Sequence, residues 1–224
     1  MPRTDLVIFD CDGVLVDSER VTTRLLAEVI TEFGLPTTVE DAIARYKGTD
    51  LSVIVEHVGA QLGRPADELV EIYRGRMYAE LGAACDACPG APEALDAVEA
   101  AGLGWCVASN GPRKKIETTL RSSGLTNRVD PARVFSAYEV GVWKPEPGLF
   151  LAAAESLGAS PERCVVVEDS RSGVVAGKAA GMRVIAYADI TPAADLLDAG
   201  ADAVIASMHE LATALGIQTD RVGV

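Results

Sequence analysis

The chain has 224 residues, of which 49% are hydrophobic and 24% charged, enough apolar material for one large domain or a domain with a smaller insertion. Its 33 acidic and 20 basic residues give a formal charge of −13, which makes nucleic acid and anionic membrane surfaces poor partners. There is no apolar run of about 18 residues and no hydrophobic leader sequence, so we expect a cytoplasmic protein.

The five cysteines are odd in number, and three of them lie in or beside apolar runs, which predicts reduced thiols. The CDAC segment at 85–88 has the spacing of a redox or zinc motif. Since no second pair or nearby histidine completes a tetrahedral site, we interpret CDAC as structural.

Short apolar runs rich in β-branched residues alternate along the chain with helical patterns that end in glycine. The predicted strands are residues 6–9, 103–108, 164–167, 183–187 and 203–205. The helical patterns among them are PEALDAVEAAG, RKKIETTLRSSG, PGLFLAAAESLG and SGVVAGKAAG. This alternation predicts an α/β fold, a Rossmann-like doubly wound parallel sheet with helices on both faces.

Residues 18 to about 86 interrupt this alternation, because they contain helical patterns and no convincing strand. Ser18 is placed to cap the first helix of this segment, which we expect to end at Gly34. We therefore predict an α/β core of residues 1–16 and 88–224 with an inserted all-helical cap domain of residues 17–87.

Two carboxylates, Asp10 and Asp12, directly follow the first predicted strand. In an extended chain their side chains point the same way, toward the crevice where open parallel sheets bind ligands. A divalent cation would cancel the repulsion between the two charges. Oxygen-only ligands favour Mg²⁺, which is commonly held by one or two carboxylates, waters and a substrate phosphate.

Residues that could bind phosphate or Mg²⁺ also stand at the ends of later predicted strands and helices. Ser109 and Asn110 follow the second strand, where a hydroxyl and free backbone N–H groups can hold phosphate oxygens. Lys144 precedes a proline and supplies a point charge, and Glu168 with Asp169 forms a second acidic pair. Each residue alone has an ordinary explanation as a cap, a turn or a solvated side chain. Together, in this order, they predict a magnesium and phosphate site.

The segments FDCDGVLVDSE, VASNGP, WKPEPGLF and VVEDSRSG resemble the four ordered motifs of the haloacid dehalogenase (HAD) superfamily of phosphohydrolases. The resemblance spans essentially the whole chain. The helical insert after the first motif is similar to the cap of the subgroup that contains β-phosphoglucomutase and phosphoglycolate phosphatase. Within that subgroup, the motifs are most similar to those of bacterial 6-phosphogluconate phosphatase-like proteins.

The resemblance implies that Asp10 is the nucleophile, which forms an aspartyl-phosphate. It implies that Asp12 is the general acid for the leaving alkoxide and then the base that activates water. The ligands implied for Mg²⁺ are the Asp10 side chain, the Asp12 backbone carbonyl and Asp169, with Glu168 supporting the ion directly or through water. The groups implied for the phosphoryl oxygens are Ser109, the Asn110 backbone and Lys144.

The predicted function is a magnesium-dependent phosphatase for a small phosphorylated sugar or sugar acid, similar to 6-phosphogluconate. One alternative is a phosphosugar mutase, although Thr22 and Leu51 stand near positions where β-phosphoglucomutases have a histidine and an arginine. Another is a receiver-like phosphoaspartate signalling module, although receivers are about half as long and lack the helical insert. We expect a small-molecule phosphate ester as the partner and a monomer or weak dimer.

The choice of ester is expected to come from the cap, which would close over the leaving group. Charged residues in and beside the cap are the candidates, because they could pair with a carboxylate or hydroxyls of the substrate. These candidates are Glu19, Arg45, Lys47 and Arg74 in the cap, with Lys114 and Lys115 beside it.

Overall fold

The computed structural model describes residues 4–46, 49 and 51–217, and within them six strands form one parallel sheet. The strands are β1 Leu6–Phe9, β2 Gly104–Ser109, β3 Val134–Ser136, β4 Cys164–Glu168, β5 Arg183–Tyr187 and β6 Ala203–Ile205. Their order is β3-β2-β1-β4-β5-β6, with every neighbouring pair parallel. This arrangement confirms the predicted Rossmann-like sheet. The edge strand β3 was not predicted, because only two of its three residues are apolar, whereas β6, which is equally short, is apolar throughout.

Helices connect the strands and cover both faces of the sheet. Their bounds are α1 Glu19–Glu32, α2 Val39–Tyr46, α3 Leu51–Leu62, α4 Glu68–Ala83, α5 Ala91–Ala100, α6 Arg113–Ser122, α7 Ala137–Val140, α8 Gly148–Ser156, α9 Arg171–Ala179, α10 Ala193–Asp198 and α11 Leu211–Leu215. The helices α5, α6, α8 and α9 match the four glycine-terminated patterns. Among the described residues, no helix combines the length and apolar character that a membrane crossing requires.

The core consists of two apolar layers separated by the sheet. Alternate residues of β1 divide between them: Val7 and Phe9 face one layer, whereas Leu6 and Ile8 face the other. All four side chains are buried, which explains why the strand is an uninterrupted apolar run. The central strands therefore end at a rigid edge, and the polar residues that follow them are held in fixed positions.

The helices α1 to α4 form the segment inserted after the first motif, and they have an apolar cluster of their own. That cluster includes Leu26, Ile30, Ile54, Val58 and Leu69. Other faces of α1 and α4 join the layer on the sheet through Leu25, Met77 and Leu81. The inserted helices therefore pack on one another and also on the apolar layer beside the sheet.

The chain enters and leaves the inserted helices through two adjacent segments. Val16 forms an antiparallel bridge with Ala87, and the backbone N–H of Asp17 donates to the Asp86 carbonyl at 2.9 Å. This pairing lies near the predicted ends of the insert, but the division into a core and a cap at residues 17–87 stays a prediction.

Ser18 occupies the position before α1, as predicted, but the expected helix cap is wrong: its side chain makes no capping hydrogen bond to the helix. The hydroxyl donates instead to Asp12 Oδ1. A capping serine accepts from a helix N–H with its backbone extended, whereas Ser18 already has helical dihedrals (φ −87°, ψ −22°).

Candidate active site

The site lies at the carboxyl edge of the three central strands. Asp10 follows β1, Ser109 ends β2, and Glu168 ends β4. The strands are held in register up to the site, since the backbone N–H of Asp10 donates to the Val167 carbonyl at 2.9 Å. Because parallel strands end at the same edge, three motifs far apart in sequence meet there.

Lys144 lies at the centre of this edge. Its Nζ is 2.5 Å from Asp10 Oδ1, 2.6 Å from Glu168 Oε1 and 2.9 Å from the Ala108 carbonyl oxygen. These acceptors occupy all three donors of the ammonium group, and the residue is buried. The aliphatic stem ends over the Phe150 ring, with Nζ 4.8 Å from the ring centroid. Lys144 therefore links the first acidic motif to the second.

Asn110 holds the backbone on which Lys144 sits. Its Oδ1 accepts from the Lys144 N–H at 2.9 Å, and its Nδ2 donates to the Lys144 carbonyl at 3.3 Å. The neighbouring Ser109 Oγ accepts from the Gly111 N–H at 3.1 Å. Ser136, which the sequence analysis missed, donates to the Gly111 carbonyl at 2.7 Å and so braces this loop.

Glu168 is held on both carboxylate oxygens. In addition to the Lys144 contact, Oε2 accepts from the backbone N–H of Ser170 at 3.0 Å and from its hydroxyl at 2.8 Å. Gly173, in the first turn of α9, leaves the space for this carboxylate, because a Cβ there would overlap with it. Glu168 is therefore placed to hold the Lys144 ammonium group in position. That Glu168 also supports a magnesium ion stays a prediction.

Asp169 lies against the loop of the first motif. A Cβ at Gly13 would come within 2.6 Å of Asp169 Oδ2, and Gly13 also has a φ of +78°, which favours glycine. This close approach brings the second acidic pair over the backbone that carries Asp10 and Asp12. Asp169 is buried.

Asp12 has its own set of partners. Lys115 Nζ lies 2.9 Å from Asp12 Oδ2, and the Ser18 hydroxyl donates to the other oxygen. The Asp12 and Lys115 side chains are only 14% and 15% exposed. Tyr73 of α4 and Glu19 of α1 lie close enough to interact electrostatically with Lys115. Neither Ser18 nor Tyr73 was predicted as a site residue, because Ser18, although within the first motif, was interpreted as a helix cap, and Tyr73 lies in none of the motifs.

The remaining cap candidates lie in other places. Arg74 is exposed one residue after Tyr73, which places it about 100° further round α4. Arg45 pairs with Asp41 at 3.5 Å, and Lys114 Nζ lies 4.9 Å from the centroid of the Tyr78 ring. Lys47 lies outside the described residues. The structure thus brings Glu19 and Lys115 together and leaves Arg74 on the surface.

The two carboxylates of the first motif have opposite electrostatic environments. Burial raises the pKa of Asp10 to about 7; the Lys144 charge opposes this shift, and the Glu168 and Asp12 charges add to it. Burial also disfavours ionisation of Asp12, but Lys115 and the Ser18 hydrogen bond outweigh it and lower its pKa. The pKa of Lys144 is raised because its carboxylate partners outweigh its burial. Asp12 is therefore the more readily ionised of the pair.

The donor chemistry of the site fits Mg²⁺. Four acidic side chains (Asp10, Asp12, Glu168 and Asp169) share the site with the ammonium groups of Lys144 and Lys115, so acidic groups outnumber basic ones by two. Within the described residues, no three His, Cys, Asp or Glu side chains are arranged as a metal cluster. Mg²⁺ does not require such a cluster, because one or two carboxylates with carbonyl, water and phosphate oxygens suffice.

Comparison with known proteins supports a phosphatase. The chain is 33% identical over 189 residues to 6-phosphogluconate phosphatase of Escherichia coli (strain K12), covering 84% of each chain. A HAD family hydrolase structure from Deinococcus radiodurans, with bound phosphate and sodium, matches with a TM-score of 0.83 and 33% identity, covering 98% of this chain and 99% of that one. A putative β-phosphoglucomutase from Thermotoga maritima matches with a TM-score of 0.79 and 28% identity, covering 95% and 99%.

The family model for haloacid dehalogenase-like hydrolases matches residues 4–181, from the first strand through the second acidic pair and α9. The matched region contains all four motifs that bear the predicted site residues. The fold and the phosphatase class predicted from the sequence are thereby confirmed. The chain belongs to the haloacid dehalogenase-like hydrolases.

Proposed function

We propose that the chain is a magnesium-dependent phosphatase that hydrolyses a small phosphorylated sugar or sugar acid through an aspartyl-phosphate on Asp10. One observation carries the proposal: Asp10 and Asp12 are two residues apart, yet each carboxylate has its own lysine. Lys144 lies beside Asp10 and Lys115 beside Asp12. Such separate environments suit two carboxylates with different tasks.

Asp10 is the nucleophile in this proposal. One carboxylate oxygen attacks phosphorus while the bond from phosphorus to the alcohol oxygen breaks, and the result is a phosphoaspartate. Lys144 already contacts Asp10 Oδ1 and is positioned to neutralise charge on the transferring group. Ser109 Oγ and the backbone N–H groups of the loop that Asn110 anchors supply further donors for the phosphoryl oxygens.

Asp12 transfers protons in both half-reactions. It protonates the leaving alkoxide first, then removes a proton from the water that attacks the phosphoaspartate and releases inorganic phosphate. The lowered pKa of Asp12 suits the second task. For the first task it must bind a proton, which the negative charge of an incoming phosphate favours.

The residues proposed to hold Mg²⁺ are Asp10, Asp169 and the backbone carbonyl of Asp12. The bound ion would supply positive charge that keeps Asp10 ionised and offsets charge on the phosphoryl group. Glu168 supports this set through Lys144 and Ser170, which it contacts directly.

The mutase alternative rests on the structural likeness to a putative β-phosphoglucomutase. Thr22 stands in place of the mutase histidine, and its hydroxyl donates to the Glu19 carbonyl at 3.2 Å within α1. Threonine cannot transfer protons near neutral pH as the imidazole of histidine can. The likeness to named phosphatases favours hydrolysis, and membership of a hydrolase family also argues against a receiver-like signalling module.

Phosphate release from a panel of monoesters tests the proposal. The panel contains 6-phosphogluconate, phosphoglycolate, hexose phosphates and nucleotides, each with and without Mg²⁺, for wild type and Asp10→Asn. We expect magnesium-dependent turnover of a sugar phosphate or sugar-acid phosphate, abolished in the variant. Conversion of glucose 1-phosphate to glucose 6-phosphate without phosphate release would establish the mutase instead, and equal turnover by the variant would exclude Asp10 as nucleophile.

A further inference from the structure

We propose that Lys115 is a specificity residue: its ammonium group binds an oxygen on the carbon next to the ester carbon, so the enzyme selects phosphate esters of vicinally oxygenated alcohols. This inference rests on the proposed function and deepens it. The substrate class includes esters with a hydroxyl or a carboxylate at that carbon, and it excludes plain alkyl phosphates.

The position of Lys115 relative to Asp12 supports this role. Asp12 must come within hydrogen-bond distance of the leaving oxygen in order to protonate it. Since Lys115 Nζ is 2.9 Å from Asp12 Oδ2, the ammonium lies no more than about 6 Å from that leaving oxygen when Oδ2, the oxygen that Ser18 does not contact, carries the proton. A hydroxyl or carboxylate oxygen on the neighbouring carbon falls within hydrogen-bond reach of an ammonium group placed there.

The loop between β2 and α6, residues 110–112, lies beside Lys115 and Asp12. A Cβ at Gly111 would lie 3.4 Å from Ser109 Oγ, 3.6 Å from Asp12 Oδ2 and 3.7 Å from Lys115 Cδ. A phosphate-binding hydroxyl, the proton donor and the lysine stem therefore surround the same small space. Because α6 belongs to the sheet domain, Lys115 is positioned by the elements that hold the phosphate.

Lys115 also retains donors for a ligand, unlike Lys144. Within the part of the chain that the structure describes, Asp12 is the one carboxylate at ion-pair distance from Lys115. An ammonium group has three donors, so one contact leaves capacity for a substrate oxygen. Tyr73 and Glu19 lie close to it from the cap side, where they can take part in hydrogen bonds with a hydroxylated alcohol.

Two isosteric esters test the inference, namely 2-hydroxyethyl phosphate and propyl phosphate, which differ by a hydroxyl in place of a methyl group. The measured quantity is the ratio of their kcat/KM values in wild type, Lys115→Met and Lys114→Met. The intrinsic difference between the two alcohols cancels where proton transfer by Asp12 is unchanged. Weaker protonation of the leaving oxygen in Lys115→Met would instead raise the preference for the more acidic hydroxylated alcohol, which is opposite to the expected fall. We expect the wild-type preference for the hydroxylated ester to fall about tenfold or more in Lys115→Met and to persist in Lys114→Met.

A purely positioning role for Lys115 predicts a different result. Both rates would then fall in Lys115→Met, the ratio would stay at the wild-type value or rise, and the inference would be wrong. If Lys115→Met does not fold, Lys115→Gln provides a second variant, and because its side chain is shorter and uncharged we expect the ratio to fall in it as well. Equal kcat/KM values for the two esters in wild type would also overturn the inference. If neither these esters nor sugar phosphates released phosphate, the proposed function itself would be wrong.

Discussion

The two lysines of the site differ in how completely the protein uses them. Lys144 lies where we propose that the phosphate binds, here called the phosphate end. It is buried with all three donors engaged, and it is held by β1, β2, β4 and the Asn110 side chain. Lys115 lies where we propose that the alcohol binds, here called the alcohol end, and it shares one ion pair with Asp12. Protein acceptors therefore occupy the donors of Lys144 before any ligand binds, whereas Lys115 keeps N–H donors that we propose bind the substrate.

The largest effect is expected for Lys144→Met. Removing this charge leaves Asp10 and Glu168 buried without their shared cation, and losing one partner of a buried ion pair typically costs about 3–5 kcal/mol. We also expect kcat/KM to fall by about 10³-fold, because the phosphoryl charge loses its fixed neutralising group. Denaturant unfolding and phosphate-release assays measure the two effects. A variant as stable as wild type would contradict the proposed energetic role of Lys144.

Gly173→Ala should break the phosphate end without touching a reacting group. The added methyl overlaps with the Glu168 carboxylate, so this side chain must move and release Lys144. We expect a loss of about 1–3 kcal/mol in unfolding free energy and a clear fall in kcat/KM. The matched control is Gly75→Ala in α4, where no atom lies within 4 Å of the added Cβ.

The control should behave in the opposite way. Alanine is the better helix former, so Gly75→Ala should raise the unfolding free energy by about 0.5–1 kcal/mol and leave kcat/KM unchanged. If both glycine variants retain full activity, the observed position of the Glu168 carboxylate is not required for catalysis.

Two serine variants, one at each end of the site, sharpen the comparison. Ser18→Ala removes a donor to Asp12 but no helix cap, so we expect kcat to fall about tenfold with a small change in stability. Ser170→Ala removes the cap of α9, where the hydroxyl accepts from the Gly173 N–H at 3.1 Å, and it also removes the hydroxyl that donates to Glu168 Oε2 at 2.8 Å. This variant should lose about 1 kcal/mol in unfolding free energy and some activity. Thermal melting separates the two variants, and a loss of about 1 kcal/mol in Ser18→Ala would show that Ser18 acts as a cap.

The smallest effect is expected at an exposed link between the inserted helices and the core. Arg20 of α1 pairs with Asp189 at 2.9 Å and with Asp17 at 3.3 Å, but its side chain is 60% exposed. Exposed ion pairs contribute little, so Arg20→Met should change the unfolding free energy by less than about 1 kcal/mol. A much larger loss in urea unfolding would mean that this link holds the inserted helices in place.

Much of the phosphate end could be predicted from the sequence, because each part is a contiguous motif at the end of a strand or helix. This holds for Asp10, Ser109, Lys144 and Glu168. The sheet that brings them together was predicted from apolar runs that alternate with helical patterns. Ser136 was missed because its strand, β3, has only two consecutive apolar residues before the serine.

The alcohol end was less predictable, since its members come from α1, α4 and α6 and meet only through tertiary packing. Ser18 has the local signature of a cap, Tyr73 has that of an ordinary half-buried helix residue, and Arg74 beside it carried the more obvious charge. Lys115 was one of two adjacent lysines that the sequence could not distinguish. The catalytic roles assigned to Asp10 and Asp12 remain predictions.

The most direct test of the account is to trap the phosphoaspartate. Wild-type protein is mixed with Mg²⁺ and 6-phosphogluconate, quenched within one turnover and treated with borohydride, which reduces an acyl phosphate to an alcohol. Peptide mass analysis should then locate homoserine at position 10 in wild type, whereas Asp10→Asn and a sample without substrate should show none. Phosphate release without a modified Asp10, or a modification at another carboxylate, would contradict the central claim that Asp10 is the nucleophile.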